Sequence, residues 1–75
     1  MKFIELTGKK LSRVINSDEI KEDELSAAGV SGDTIVRVNQ QGDIEVRRPQ
    51  GWDLVGGLLG DYDQRLKQAT GLDWA

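Results

Sequence analysis

Apolar and polar residues alternate most regularly over residues 34–48, and this pattern predicts a β-hairpin. Val36 and Val38 fall on one side of the first strand. Ile44 and Val46 fall on one side of the second, so each strand offers one apolar face to a common core.

The loop of this hairpin is predicted to hold three residues between Asn39 and Asp43, with Gly42 in the left-handed conformation. This register brings the apolar residues of the two strands opposite one another. It also places Arg37 opposite Glu45, so that opposite charges meet across the strands.

The N-terminal residues 2–6 and 10–15 are short segments with branched or aromatic side chains, separated by a step that contains Gly8. Because glycine tolerates the positive φ angles of a tight turn, this arrangement predicts a first hairpin. A two-residue turn would place Ile4 opposite Leu11.

A short helix is predicted to begin at Ser17, whose hydroxyl is a favourable N-cap, and to continue to Ala28, either unbroken or as two turns with a break. Acidic residues follow directly, where they interact favourably with the positive end of the helix dipole. Gly29 and Val30 then match the Schellman motif, in which Val30 would pack back on Leu25.

A final helix is predicted over residues 61–70, beyond Pro49, which ends the preceding strand. Apolar residues recur there at helical spacing and form a narrow stripe. They are Leu58, Tyr62, Leu66 and Ala69. Gly71 followed by Leu72 predicts a second Schellman motif.

Residues 52–60 fit two conformations. Apolar periodicity favours a helix, whereas the adjacent Gly56 and Gly57 each cost about 1 kcal/mol there relative to alanine. One interpretation is that Gly56 and Gly60 let this segment approach the sheet closely. The other is that the segment is a hinge or a docking surface.

The predicted order of elements is ββαββα. It gives an α+β fold with two β-hairpins and two helices, in which a small antiparallel sheet is covered by the C-terminal helix. The 75 residues form one domain, residues 1–75. Chains of this size have a stability on the order of 3–5 kcal/mol.

The composition narrows the available chemistry. The chain has no cysteine and no histidine, which excludes disulfides, thiolate metal sites, conventional zinc sites and histidine-based triads. Its formal charge of −3 argues against a protein dedicated to nucleic acid or anionic lipid. No signal peptide or membrane-spanning window is evident, so we expect a cytoplasmic protein without membrane contact.

No pattern of residues indicates an enzyme. Asp61 and Asp63 are two positions apart on a predicted helix, so they point to different sides and cannot share a metal ion. Residues 56–61 lack the lysine and hydroxyl residue of a phosphate-binding loop. No serine is spaced from a lysine in a way that indicates a catalytic dyad. They are Ser12, Ser17, Ser26 and Ser31. We therefore expect no catalytic residue, no cofactor and no metal.

Basic residues cluster on the two predicted hairpins. The clusters are Lys9, Lys10 and Arg13 on the first, and Arg37, Arg47 and Arg48 on the second. Basic residues of this kind are typical of solvent-exposed strand positions. The alternative interpretation is that they form a locally basic binding face.

From Leu11 to Pro49 the predicted elements follow in a fixed order. They are a strand, a short helix, Val30, a loop that ends in Gly32-Asp33, and a hairpin over residues 35–48. In this order they resemble the AbrB/MazE type of swapped-hairpin DNA-binding domain. The resemblance implies an intertwined dimer in which basic residues of the first hairpin and its vicinity contact DNA. The nearest matches are Lys9, Lys10 and Arg13, with Arg37 as a further candidate.

The whole chain also resembles small uncharacterised bacterial proteins of this length. The resemblance is carried mainly by residues 42–49, 56–61 and 70–75. It implies no particular activity.

The leading hypothesis is a non-enzymatic interaction module whose aromatic C-terminal part docks a protein partner or a second copy. Trp52 and Trp74 are the candidate anchors, since tryptophan is enriched at binding hot spots, and the alternative for both is a place in the core. The competing hypothesis is a dimeric DNA-binding regulator or antitoxin that uses the basic residues named above.

Overall fold

The computed structural model describes residues 1–16 and 18–75. Its elements are, in chain order, strand β1 (Phe3–Thr7), helices α1 (Gly8–Val14) and α2 (Glu22–Ala27), strands β2 (Ile35–Asn39), β3 (Asp43–Arg48) and β4 (Gly51–Gly57), and helix α3 (Tyr62–Thr70). The predicted α+β class is confirmed. The predicted order ββαββα is wrong, because the order is βααβββα. Ser17, the predicted N-cap, lies outside the described residues.

The four strands lie side by side in the order β1-β2-β3-β4, and neighbouring strands are antiparallel. The central hairpin has the predicted register, since Val36 pairs with Val46 and Val38 pairs with Ile44. All four side chains are fully buried. Gly42, in the loop, has a φ of 89°, as the three-residue loop requires.

The predicted first hairpin is wrong, because the chain passes directly from β1 into α1. Thr7 ends β1 and is also the N-cap of α1, where its hydroxyl accepts a hydrogen bond from the N–H of Lys10 at 3.3 Å. Leu11 and Val14, three positions apart, are both buried, so this segment follows the helical repeat. β1 pairs instead with β2, and Ile4 does not face Leu11.

The acidic helix is shorter than predicted, since α2 begins after Lys21 and ends at Ala27. Its predicted Schellman motif is confirmed. Gly29 has a φ of 83°, and the N–H of Val30 donates to the carbonyl of Leu25 at 2.9 Å.

Residues 52–60 do not form a helix, because most of them belong to β4. A two-residue turn joins β3 to β4, and one extra residue, Val55, makes a β-bulge in β4. A side chain at Gly56 would meet the Cδ1 of Ile20 at 3.0 Å, so this glycine lets a residue outside the sheet approach β4. The interpretation that Gly56 lets the segment approach the sheet is wrong, because the segment is itself a strand of that sheet. Gly60 has no neighbour of this kind among the described residues, and its φ of 69° serves a turn.

Helix α3 is confirmed, with Leu66 fully buried on its inner side. Its predicted Schellman motif is wrong. Gly71 has a φ of 72° and donates its N–H to the carbonyl of Lys67 at 2.8 Å, which is the simpler αL cap. Leu72 is exposed, and its N–H donates to the hydroxyl of Thr70 at 3.1 Å instead of to the helix.

The core lies between one face of the sheet and the helices. Helix α1 contacts β1, β2 and α3, and Leu66 of α3 belongs to the same buried core as the strand residues, so α1 covers that face together with α3. The buried apolar residues are Ile4, Leu6, Leu11, Val14, Ile20, Leu25, Val30, Val36, Val38, Ile44, Val46, Leu58 and Leu66.

The two outer strands of the sheet end differently. Beyond β1, the N–H of Phe3 donates to the carbonyl of Ala75 at 2.9 Å, and the N–H of Ala75 donates to the carbonyl of Phe3 at 3.1 Å. Ala75 therefore covers part of the outer edge of β1. Among the described residues, no strand pairs with the outer edge of β4.

Within the described part of the chain, no helix is both long and apolar enough to cross a membrane. The cytoplasmic location stays a prediction.

Candidate functional site

Side chains alternate along each strand, so every second one lies on the face that the helices do not cover. We call this surface the open face. The register places there Phe3 and Glu5 of β1, Arg37 of β2, Glu45 and Arg47 of β3, and Trp52 and Leu54 of β4.

Arg37 lies at the centre of the open face and contacts two aromatic rings. Its Cζ lies 3.7 Å from the ring centroid of Phe3 and 4.1 Å from that of Trp52. These distances are well inside the range of cation–π contacts. We call Phe3, Arg37, Glu45 and Trp52 the Arg37 cluster.

An ion pair fixes the direction of the Arg37 side chain. Its Nε donates to Oε1 of Glu45 at 2.8 Å, and the two side chains are 21% and 22% exposed. The predicted Arg37–Glu45 pair is therefore confirmed. The two rings were not predicted, because Phe3 and Trp52 come from the outer strands, whose positions depend on long-range pairing.

The guanidinium of Arg37 keeps unused donors. An arginine side chain carries five N–H groups. Among the described residues, only the Nε–H of Arg37 meets a protein acceptor. The rings lie against the guanidinium and Glu45 occupies one edge, so the remaining N–H groups can donate to water or to an acceptor outside the chain.

Leu54 extends this surface on β4. Its register partner is Glu45, and 63% of its surface is exposed. A large aliphatic side chain on the same face as an ordered arginine and two aromatic rings makes the open face partly apolar and partly charged. Such a mixture is typical of protein interfaces.

Trp74 does not belong to the open face. Its indole Nε1–H donates to Oδ1 of Asp63, at the start of α3, at 2.6 Å, and its ring packs against the core. The two candidate anchors therefore lie on opposite sides of the sheet. The role of Trp74 as a partner anchor stays a prediction.

The candidate DNA-contacting residues are divided in the same way. Lys9, Lys10 and Arg13 are exposed on α1, which covers the core side of the sheet. Arg37 lies on the open face. The four residues do not form one basic surface.

A second arginine, Arg65 of α3, binds several groups of its own chain. Its Nη2 lies 2.7 Å from Oε2 of Glu19, and its Nε lies 2.9 Å from Oδ1 of Asp61. It also donates to the backbone carbonyls of Leu59 and Val14. These contacts tie the end of α1 and the segment around Glu19 to the start of α3.

Glu19 is the buried partner in this network, with a side chain that is 1% exposed. Burial acts to raise the pKa of its carboxyl. Hydrogen bonds from Arg65 and from the backbone N–H groups of Leu59 and Asn16, with the positive charge of Arg65, outweigh burial and lower the pKa from 4.5 to about 2. Glu19 is therefore a structural carboxylate, always ionised near neutral pH.

Three serine hydroxyls and a lysine surround one shallow depression of about 310 Å³. They belong to Ser12, Ser26, Ser31 and Lys9. The hydroxyl of Ser12 donates to the carbonyl of Lys9 at 2.8 Å, and that of Ser31 lies 3.0 Å from the hydroxyl of Thr34. Among the described residues, no serine hydroxyl is hydrogen-bonded to a lysine amine, and no group of acidic side chains is arranged to hold a metal ion.

No protein-family model, curated protein or solved structure matches the chain. The resemblances to AbrB/MazE-type domains and to small bacterial proteins stay predictions.

Proposed function

We propose that this protein is a non-enzymatic interaction module that binds a protein partner through its open face. The observation that carries the proposal is the Arg37 guanidinium, held against Phe3 and Trp52 with donors to spare. Arginine and tryptophan are the residues most enriched at binding hot spots.

Preorganisation favours this role for the Arg37 cluster. A free arginine side chain loses roughly 2 kcal/mol of rotamer entropy when a partner immobilises it. Arg37 is already positioned by two rings and one carboxylate, so much of that entropy is lost on folding and not on binding.

The charges of the open face favour a protein partner over nucleic acid. Arg37 and Arg47 are accompanied there by Glu5 and Glu45, so the surface has no basic excess with which to release counterions from phosphates. The DNA-binding alternative would have to use the exposed basic residues of α1, on the other side of the sheet.

Site-specific photo-crosslinking tests the proposal. A benzophenone side chain is placed at Leu54, which is 63% exposed on the open face, or at Leu59, which is 64% exposed outside the sheet. In living cells that produce the protein, we expect discrete cross-linked protein products from position 54 and none, or fewer, from position 59. Identical product patterns from both positions, or products from position 59 alone, would overturn the proposal.

A further inference from the structure

We infer that the partner which covers the open face is a second copy of this chain, packed face to face about a two-fold axis that runs between β2 and β3. This inference rests on the proposed function and names its partner. It follows from the placement of charges at the centre of the sheet.

Arg37 and Glu45 are register partners on the two central strands. A two-fold axis that is parallel to these strands, and lies between the two stacked sheets, exchanges β2 with β3. It therefore sets Arg37 of each copy over Glu45 of the other. The same patch is complementary to itself, as a symmetric dimer requires.

The second copy also supplies the acceptors that Arg37 lacks. The N–H groups of Arg37 beyond Nε have no acceptor among the described residues, and Glu45 accepts through Oε1. A carboxylate offers about four acceptor positions, so each Glu45 can bind its own Arg37 and that of the other copy. The result is a ring of four alternating charges, two from each copy.

The same axis exchanges the outer strands and covers the exposed leucine. It lays β4 of one copy over β1 of the other, so Leu54 packs against the aliphatic stem of Glu5 and the neighbouring ring of Phe3. Leu54, Glu5, Arg37 and Glu45 share one row across the sheet, so these contacts form together with the charge ring.

The small size of the open face is typical of a weak dimer. Four strands of about five residues cover roughly 17 by 19 Å, given the usual strand spacing and rise. Two such faces have a combined projected area of roughly 650 Å², below the roughly 1,200 Å² of standard specific interfaces and in the range of weak, transient ones. We therefore expect a weak, reversible dimer.

Sedimentation equilibrium from low micromolar to millimolar concentration tests this inference. The wild-type chain is expected to shift from monomer to dimer over that range. R37E and E45R should each remain monomeric, because each brings like charges together across the axis. An equimolar mixture of the two should form a heterodimer, since one variant then presents two carboxylates and the other two basic groups.

Two control variants separate the loss of charge pairing from other effects of a charge change. R13E makes the same charge change on the exposed side of α1 and should dimerise like the wild type. The double variant R37E/E45R keeps the ion pair in reverse and should dimerise, which shows that association depends on the pairing of the two charges and not on the identity of either residue. Circular dichroism verifies that each chain is folded.

A wild-type chain that stays monomeric at millimolar concentration, or a mixture of R37E and E45R that fails to associate, would overturn the inference. The cross-linking experiment decides separately whether the proposed function is wrong. If position 54 cross-links to a different protein while the chain is monomeric, the open face binds a partner but not a second copy. If position 54 cross-links to no protein and the chain is monomeric, both are wrong.

Discussion

Arg65 and Arg37 lie on opposite sides of the same sheet and use the same functional group in different ways. Arg65 donates to Glu19, to Asp61 and to two backbone carbonyls, all within its own chain. Among the residues that the structure describes, Arg37 donates only to Glu45, and it stacks against Phe3 and Trp52. Arg65 stabilises the fold, whereas Arg37 is positioned by the fold on the open face.

The burial of the two carboxylate partners explains the contrast. The side chain of Glu19 is 1% exposed and that of Glu45 is 22% exposed. A buried carboxylate without its cation is costly, whereas a partly exposed one is readily hydrated. Loss of Arg65 should therefore damage stability, and loss of Arg37 should damage binding.

The largest expected effect is that of Arg65→Ala. It leaves the Glu19 carboxylate buried without a cation, which costs about 3–5 kcal/mol. The whole stability of a chain this short is on the order of 3–5 kcal/mol, so the variant should be largely unfolded near neutral pH. Urea denaturation followed by circular dichroism measures this, with the exposed Arg13→Ala as the matched control. A variant as stable as the wild type would show that Arg65 does not hold the fold.

Acid should weaken the same network without any mutation. Because the pKa of Glu19 is about 2 when folded and 4.5 ordinarily, the folded state favours the ionised form. Its contribution is fully present above pH 4.5 and is lost as the pH falls towards 2. The difference corresponds to on the order of 3 kcal/mol. The free energy of unfolding, measured between pH 7 and pH 2, should fall over this interval. Glu19→Gln should lose much of that slope, and an unchanged slope would count against the assignment.

Arg37→Ala should have a smaller effect on stability and a large one on association. Removal of a partly exposed ion pair and two ring contacts should cost about 1–2 kcal/mol. The chain should stay folded in urea titrations at low denaturant, while its self-association in the ultracentrifuge should disappear. Equal losses of stability from Arg37→Ala and Arg65→Ala would erase the contrast between the two arginines.

The smallest effect on stability is expected from Leu54→Arg and Leu59→Arg, a pair matched in exposure at 63% and 64%. Exposed substitutions of this kind usually change stability by less than about 0.5 kcal/mol. Only Leu54→Arg should weaken association, because it alone lies on the open face. The two midpoints of urea unfolding and the two dimerisation constants provide the comparison. If both variants dimerise like the wild type, Leu54 contributes nothing to binding.

The central hairpin could be predicted from the sequence because its information is local. The alternation of residues 34–48 and the glycine of the loop fixed both the strands and the pairing of Arg37 with Glu45. The helix after Thr7 could not be predicted in this way, because the branched residues of this segment suit a strand. Capping by Thr7 and burial of Leu11 and Val14 favour a helix. Here tertiary packing outweighs local propensity.

The rest of the candidate site depends on contacts between distant segments. The ring of Phe3 reaches Arg37 only because β1 pairs with β2, and Trp52 reaches it only because β4 is a strand. No local pattern links Arg65 to Glu19, which is far from it along the chain. The sequence therefore identified Arg37 and Trp52 as separate candidates but could not bring them together.

The hydrogen bonds between Phe3 and Ala75 also bear on how this protein can be engineered. They hold residues 3 and 75 side by side at one edge of the sheet. In a polypeptide made of residues 1–75, a few glycines between Ala75 and Met1 would close the backbone into a circle, and a new opening in the exposed turn at Pro49 and Gln50 would give a circular permutant. Its first segment would be β4, and a reporter fused there would lie beside the open face.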